Sequence, residues 1–170
     1  MSTGQTLITI GAFVLLMTML VSFYRILAQG GQTVDASQTA ITEVSLATSY
    51  TQLAQALHFD KATRDTFLLS TALLSTVLGP EAGDDSIDAF DDFDDFNGLT
   101  HIATSLASNS GTYQTKFVVN YVVPSNISQI SAIKTFVKRM DMTITRINPP
   151  SGDTLRVSTV MGYWHFTNTL

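Results

Sequence analysis

The side chains that could do chemistry in this 170-residue chain gather in one stretch. Eight of its fourteen acids lie between Glu81 and Asp95: Glu81, Asp84, Asp85, Asp88, Asp91, Asp92, Asp94 and Asp95. Calcium takes about six to eight oxygens from carboxylates and carbonyls, so Asp91, Asp92, Asp94 and Asp95 are the candidate ligands. Their spacing departs from an EF-hand loop, because Phe96 stands where a ligand would be needed. A solvated charge run and a contact surface for a neighbouring subunit are the competing readings. Phe90, Phe93 and Phe96 interleave at every third position, and Asn97-Gly98 closes the run with a turn pair. The rings are expected to turn inward while the carboxylates face water.

Catalytic constellations do not emerge. His58, His101 and His165 stand apart, and no H-E-x-x-H, G-x-S-x-G, phosphate-loop or G-x-G-x-x-G pattern occurs. His165 follows Trp164 in an expected strand, where a structural role is the simpler reading. Paired aspartates can serve acid–base catalysis, but these fall in an expected surface loop with no pocket signature. With no cysteine, disulfides, zinc–thiolate sites and thiol nucleophiles are excluded. The expectation is a protein that is not an enzyme, with calcium as the one candidate cofactor.

Charge narrows the partners further. Nine basic against fourteen acidic residues leave a net charge of −5. A polyanion needs a basic patch, so nucleic acid is not an expected partner. Charged residues make up 14% of the chain, against an ordinary share of about 25%. The deficit is local: Leu7 to Tyr24 carries no charge, and Arg25 is the first charged side chain. A cleaved secretory signal fits poorly, since the residues before Leu7 include no Lys or Arg and Ile26-Leu27-Ala28-Gln29-Gly30-Gly31 lacks an A-x-A site. A membrane helix needs about 20 apolar residues, which Leu7 to Leu27 supplies if Arg25 snorkels to the interface. Gly11, Ala12, Thr18 and Ser22 are small enough to let copies of such a helix approach closely.

These segments need elements to carry them. Two adjacent glycines cost about 2 kcal/mol against alanines inside a helix, so a hinge is expected at Gly30 and Gly31. The chain then divides into an apolar helix over 1–31 and a water-facing domain over 32–170. Helical periodicity resumes over 34–57, with Leu46, Tyr50, Leu53 and Leu57 in a stripe and Ile41 and Val44 near it. A mostly helical 5–57 would measure on the order of 80 Å, whereas a compact chain of this size has a radius of gyration of about 15 Å. Part of the rod is therefore expected to protrude. Residues 60–98 read as loop or short helix, with Phe67, Leu68, Leu74 and Leu78 as core candidates, and include the acidic loop.

The sheet is expected over 112–167 in three strands. Tyr113 to Val123 alternates Tyr113, Thr115, Phe117, Val119, Tyr121 and Val123 on one face. Lys134 to Ile147 places Phe136, Met140, Met142 and Ile144 on one face, with Lys138 or the nearby Arg139 and Arg146 opposite. After a Pro149–Asp153 turn, Leu155 to Phe166 is the third. Short connections suggest an antiparallel meander with one face covered by the amphipathic helix. The fold class is α+β: a long protruding apolar N-terminal helix, then a small β-meander domain. Asn126-Ile127-Ser128 fits the glycosylation triplet, and Ser plus Thr make up 40 of the 170 residues, a composition suited to an exposed surface.

Gly4-Gln5-Thr6-Leu7-Ile8-Thr9, followed by the apolar run Ile10 to Tyr24, resembles the start of a type IV pilin. The likeness covers about the first 25 residues, and the helix-then-meander layout agrees with it. It departs at Thr9, where most pilins carry a glutamate that pairs with a neighbour's amino terminus, and in a leader of only Met-Ser-Thr. The resemblance implies a pilin-like fold and a subunit held in the inner membrane before assembly and in an extracellular filament at the cell surface after it. It implies partnership with other copies and with pilus assembly machinery, and a helix interruption that lets the subunit extend. Leu7, Ile8, Ile10, Phe13, Val14, Leu16, Met17, Leu20, Val21, Phe23 and Tyr24 would be the self-assembly surface. Two alternatives remain open: a membrane-anchored binding domain exposed at the surface, and a minor pilin or pseudopilin of a secretion apparatus.

Overall fold

The computed structural model describes residues 3–83, 86–104 and 111–163. Among the described residues there is a single α-helix, α1, from Thr3 to Ala56. The hinge expected at Gly30-Gly31 is absent: helical hydrogen bonding passes through both glycines. Propagation adds one hydrogen bond per residue fixed, and the long helical runs on either side offset the local penalty of the pair. Among the described residues, five antiparallel strands follow: β1 (Thr100–Thr104), β2 (Thr112–Val123), β3 (Asn126–Ile130), β4 (Val137–Asn148) and β5 (Pro150–Gly162). Their order is β1-β2-β4-β5, with β3 folded back on the end of β2. The long strands β2, β4 and β5 form the expected meander, while the two short strands β1 and β3 were not foreseen. The expected strand residues beyond Tyr163, including Trp164, His165 and Phe166, lie outside the described residues. A long N-terminal apolar helix followed by an antiparallel sheet domain is the α+β class that the patterning implied.

The chain divides into two compact units, residues 1–40 and 41–170. In the first, every side chain from Thr3 to Gln38 is exposed. The second contains the core. Register sets Phe117 against Met142 and Val119 against Met140 on the buried face of the sheet. Onto that face pack Tyr50 and Ala54 of α1 together with Phe90, Phe93 and Phe96. Aromatic edges meet rings here, as between Tyr50 and Phe117 at 5.1 Å and an 88° interplanar angle, an arrangement the ring quadrupoles favour.

Two expectations about faces need correction. The buried stripe of α1 is Glu43, Ala47, Tyr50 and Ala54, while Ile41, Val44 and Leu53 are exposed. Alanines let the helix backbone come close to the sheet, so a small side chain takes the innermost place that hydropathy assigns to leucine. Lys138 and Arg146 are buried on the same strand face as Met140, Met142 and Ile144, not opposite them. Alternation has a period of two, and every one of these positions is even-numbered.

The 60–98 segment is irregular. It contains short 3-10 turns at Lys61–Thr63, Thr71–Leu73, Ile87–Ala89 and Phe93–Phe96. Leu68 and Leu74 are buried as expected, but Phe67 is exposed, as are Leu69, Leu73 and Val77. Phe90, Phe93 and Phe96 do point into the core, and the three-residue spacing is that of a 3-10 turn, which puts positions i and i+3 on one side.

Candidate functional site

The first candidate surface is α1 before residue 40. All eleven residues expected to mediate self-assembly, Leu7, Ile8, Ile10, Phe13, Val14, Leu16, Met17, Leu20, Val21, Phe23 and Tyr24, are exposed within the single chain, from 45% at Leu20 to 75% at Ile8. Leu15, Met19, Ile26 and Leu27 extend the same surface. These side chains cover every side of the helix, so no apolar stripe opposes a polar one. A helix apolar all round is stable only when surrounded by apolar matter, and exposure on this scale marks an interaction site. The segment is long and apolar enough to cross a membrane.

The Thr and Ser hydroxyls within it are already satisfied. Thr9 Oγ1 donates to the Gln5 carbonyl at 2.9 Å, Thr18 to the Leu15 carbonyl at 2.8 Å and Ser22 to the Thr18 carbonyl at 2.8 Å. Burying them in lipid or against other helices therefore leaves no bare donor. Thr9 thus serves its own helix, where a glutamate would carry a charge seeking a partner. Gly30 and Gly31 have open space within 4 Å of the position a Cβ would take.

The acidic segment is organised differently from expectation. Its rings are inside, but so are Asp92, Asp94 and Asp95. Asp92 caps the Phe93–Phe96 turn, accepting from the Asp94 N–H at 2.8 Å. Asp95 Oδ2 accepts from the N–H groups of Asp91 and Asp92 at 2.9 and 3.1 Å. Asp94 faces β4, where Lys138 Nζ donates to its Oδ1. Asp84 and Asp85 lie outside the described residues.

Lys138 is the centre of a buried charge cluster. Its Nζ also donates to Asp60 Oδ2 at 2.9 Å and to the Phe59 carbonyl at 2.7 Å. Both lysine and Asp60 side chains are 0% exposed. The Phe59 and Tyr121 ring centroids lie 4.6 and 5.4 Å from Nζ, close enough for cation–π attraction. Asp60 further accepts from the Ala62 N–H at 3.1 Å, the Ser75 N–H at 3.0 Å and the Ser75 hydroxyl at 3.1 Å. Burial pushes the Asp60 carboxyl up, but the Lys138 ammonium and these donors outweigh it and hold it below the usual carboxylate range. Burial, and then the charge of Asp60, raise the Tyr121 phenol above its ordinary value.

Asp92 runs the other way. Burial first, and the Asp94 carboxylate beside it second, push its carboxyl up to about 8. The folded state then binds a proton that the unfolded chain has released, so its contribution to stability is full below an ordinary pKa near 3.8 and is lost as pH rises through about 8. Stability should accordingly fall between pH 3.8 and 8, and Asp92→Asn, a neutral isostere, should flatten that slope in urea midpoints measured across the range. An unchanged slope in the variant would remove Asp92 as its source.

The calcium expectation is redrawn by this geometry. Asp92 and Asp94 are not part of the cluster that the fold assembles: Glu81, Asp91 and the buried Asp95 each bring one carboxylate oxygen within 4.8 Å of the others. Arg64 meets Asp91 at 2.7 Å and Lys61 meets Glu81 at 3.5 Å. Two cations thus already offset these carboxylates, and a calcium ion would have to bind beside them. Millimolar calcium is expected to leave the melting temperature unchanged; a saturable rise would assign the trio to the ion.

Lys138 and Asp60 are the functional-site residues that pattern reading missed. The parity of β4 was the available signal, since a lysine among Phe136, Met140, Met142 and Ile144 must enter the core and needs an acid there. Of the histidines, His101 Nδ1 lies 2.7 Å from the Tyr50 hydroxyl, and the His58 backbone bonds to residues 91 and 93; His165 lies outside the described residues. The glycosylation triplet begins β3 and is exposed. The chain matches no protein-family model, no curated protein and no solved structure.

Proposed function

We propose that the chain is a structural subunit of an extracellular, type IV pilus-like filament. The observation that carries this reading is the continuous apolar surface of α1 from Leu7 to Leu27, exposed on all sides in the single chain. Such a surface has to be covered. Packing against the same helix of other copies covers it completely, and repeated head-to-tail contacts of this kind generate an open helical polymer. Before assembly the inner membrane would cover the same residues, and the pilus assembly machinery would extract them. The sheet domain would then coat the fibre at the cell surface. On this reading the protein has no catalytic role and no nucleic-acid partner. The helix-then-sheet architecture is consistent with the pilin-like layout.

A second reading follows from the length of the same segment. It suffices for one membrane crossing, and an anchored surface-binding domain or a minor pilin-like component would use it that way. Electron microscopy of material sheared from cells, with N-terminal sequencing of the protein, separates the two. Uniform thin fibres composed of this chain support the filament. Recovery only from detergent-solubilised membrane, as monomers, supports the anchor.

A further inference from the structure

We propose that the folded chain joins Lys138 to Asp94 through an intramolecular isopeptide bond. The amine and the carboxyl that would react are in direct contact, Nζ on Asp94 Oδ1. Lys138 is fully enclosed and Asp94 is 1% exposed. The Phe59 and Tyr121 rings wall the pocket at 4.6 and 5.4 Å from Nζ. Amide formation expels a water molecule and is unfavourable in bulk water, but water is excluded here. Fixed contact also replaces a bimolecular encounter, which is worth effective molarities of about 10⁵–10⁸ M when the groups are aligned.

The reacting carboxyl and the flanking Asp60 manage the protons. The ammonium passes one proton to the Asp94 Oδ1 that it touches, leaving an amine whose lone pair attacks Cγ of Asp94. Once attack has consumed the ammonium, Asp60, 2.9 Å from Nζ, carries the second proton from nitrogen to the departing oxygen. The C–N bond forms and one C–O bond of Asp94 breaks. Nζ keeps one hydrogen, its other two leave with the oxygen as water, and Asp60 returns to its starting state. Nothing is oxidised or reduced.

The surroundings suit the product as well as the reactants. A buried ammonium and carboxylate, each costly to desolvate, become one neutral amide. Asp60 keeps the Ala62 and Ser75 N–H groups and the Ser75 hydroxyl as donors. The link would tie β4 to the turn at Phe93–Phe96 in a chain with no cysteine to do so. It stands whether or not the protein polymerises.

Mass spectrometry of the purified full-length protein tests this. The intact mass should lie about 18 Da, one water, below that of the linear chain. Trypsin should fail to cut after Lys138, and the 135–139 peptide should be found branched to the 65–116 peptide that contains Asp94. Asp94→Ala and Lys138→Ala should restore the full mass, read on denatured protein so that misfolding does not obscure it. A wild-type protein of full mass, ordinary cleavage after Lys138, or a branch to the 26–61 peptide that contains Asp60 would overturn the proposal.

Discussion

Leu16→Asp and Val21→Asp should each abolish filament assembly while leaving the sheet domain folded. Both side chains are about half exposed in the single chain, at 52% and 49%. In a filament they would be enclosed by neighbouring copies, and in the membrane by lipid. An unpaired carboxylate in either place costs several kcal/mol, and each contact in a polymer repeats that cost. The expected result is loss of sheared fibres with an unchanged melting temperature for the sheet domain. Abundant normal fibres from either variant would mean that this surface does not form the packed centre. Loss of the melting transition would point instead to a folding role for the helix surface.

Lys138→Met should be the most damaging single change in the sheet domain. Methionine matches the length of the side chain but leaves Asp60 and Asp94 facing each other with no cation, both nearly without exposure. Removing one partner of a buried ion pair costs about 3–5 kcal/mol. For a domain of this size that corresponds to a fall of roughly 10–20 °C in melting temperature. Adding Asp94→Leu, which removes an acid along with the base, should recover part of the loss. A single variant as stable as the parent would show that β4 does not bury this lysine between the two acids. If the covalent link is present, the single change removes it too, and the loss should sit at the upper end of the range.

Reading order along the chain explains which features pattern could reach. The apolar run from Leu7 to Tyr24 is visible because it is a property of adjacent residues, and its chemistry does not depend on what lies elsewhere. The same holds for β2, where Tyr113, Thr115, Phe117, Val119 and Tyr121 alternate and are all buried. The three-residue spacing of Phe90, Phe93 and Phe96 likewise identified them as core residues. Gly30-Gly31 misled because a local propensity penalty of about 2 kcal/mol says nothing of the cooperativity of a helix with 54 residues.

What only the tertiary structure decided is where the charges go. Asp60 and Lys138 are 78 positions apart, and Lys138 and Asp94 are 44 apart. Each, read alone, is a polar residue that belongs in water, so the acidic run was expected to be solvated. Burial became affordable only because β4 carries a cation to the spot where the Phe93–Phe96 turn presents an acid. Side chains that cost free energy singly and are stable in combination cannot be assigned from neighbours in sequence, since the compensating partner is a long-range contact. The chain's own order of residues therefore determined an apolar helix that must be covered and a sheet with one buried face. The fold determined the enclosed lysine and aspartates, because only three-dimensional proximity lets opposite charges replace the water they give up.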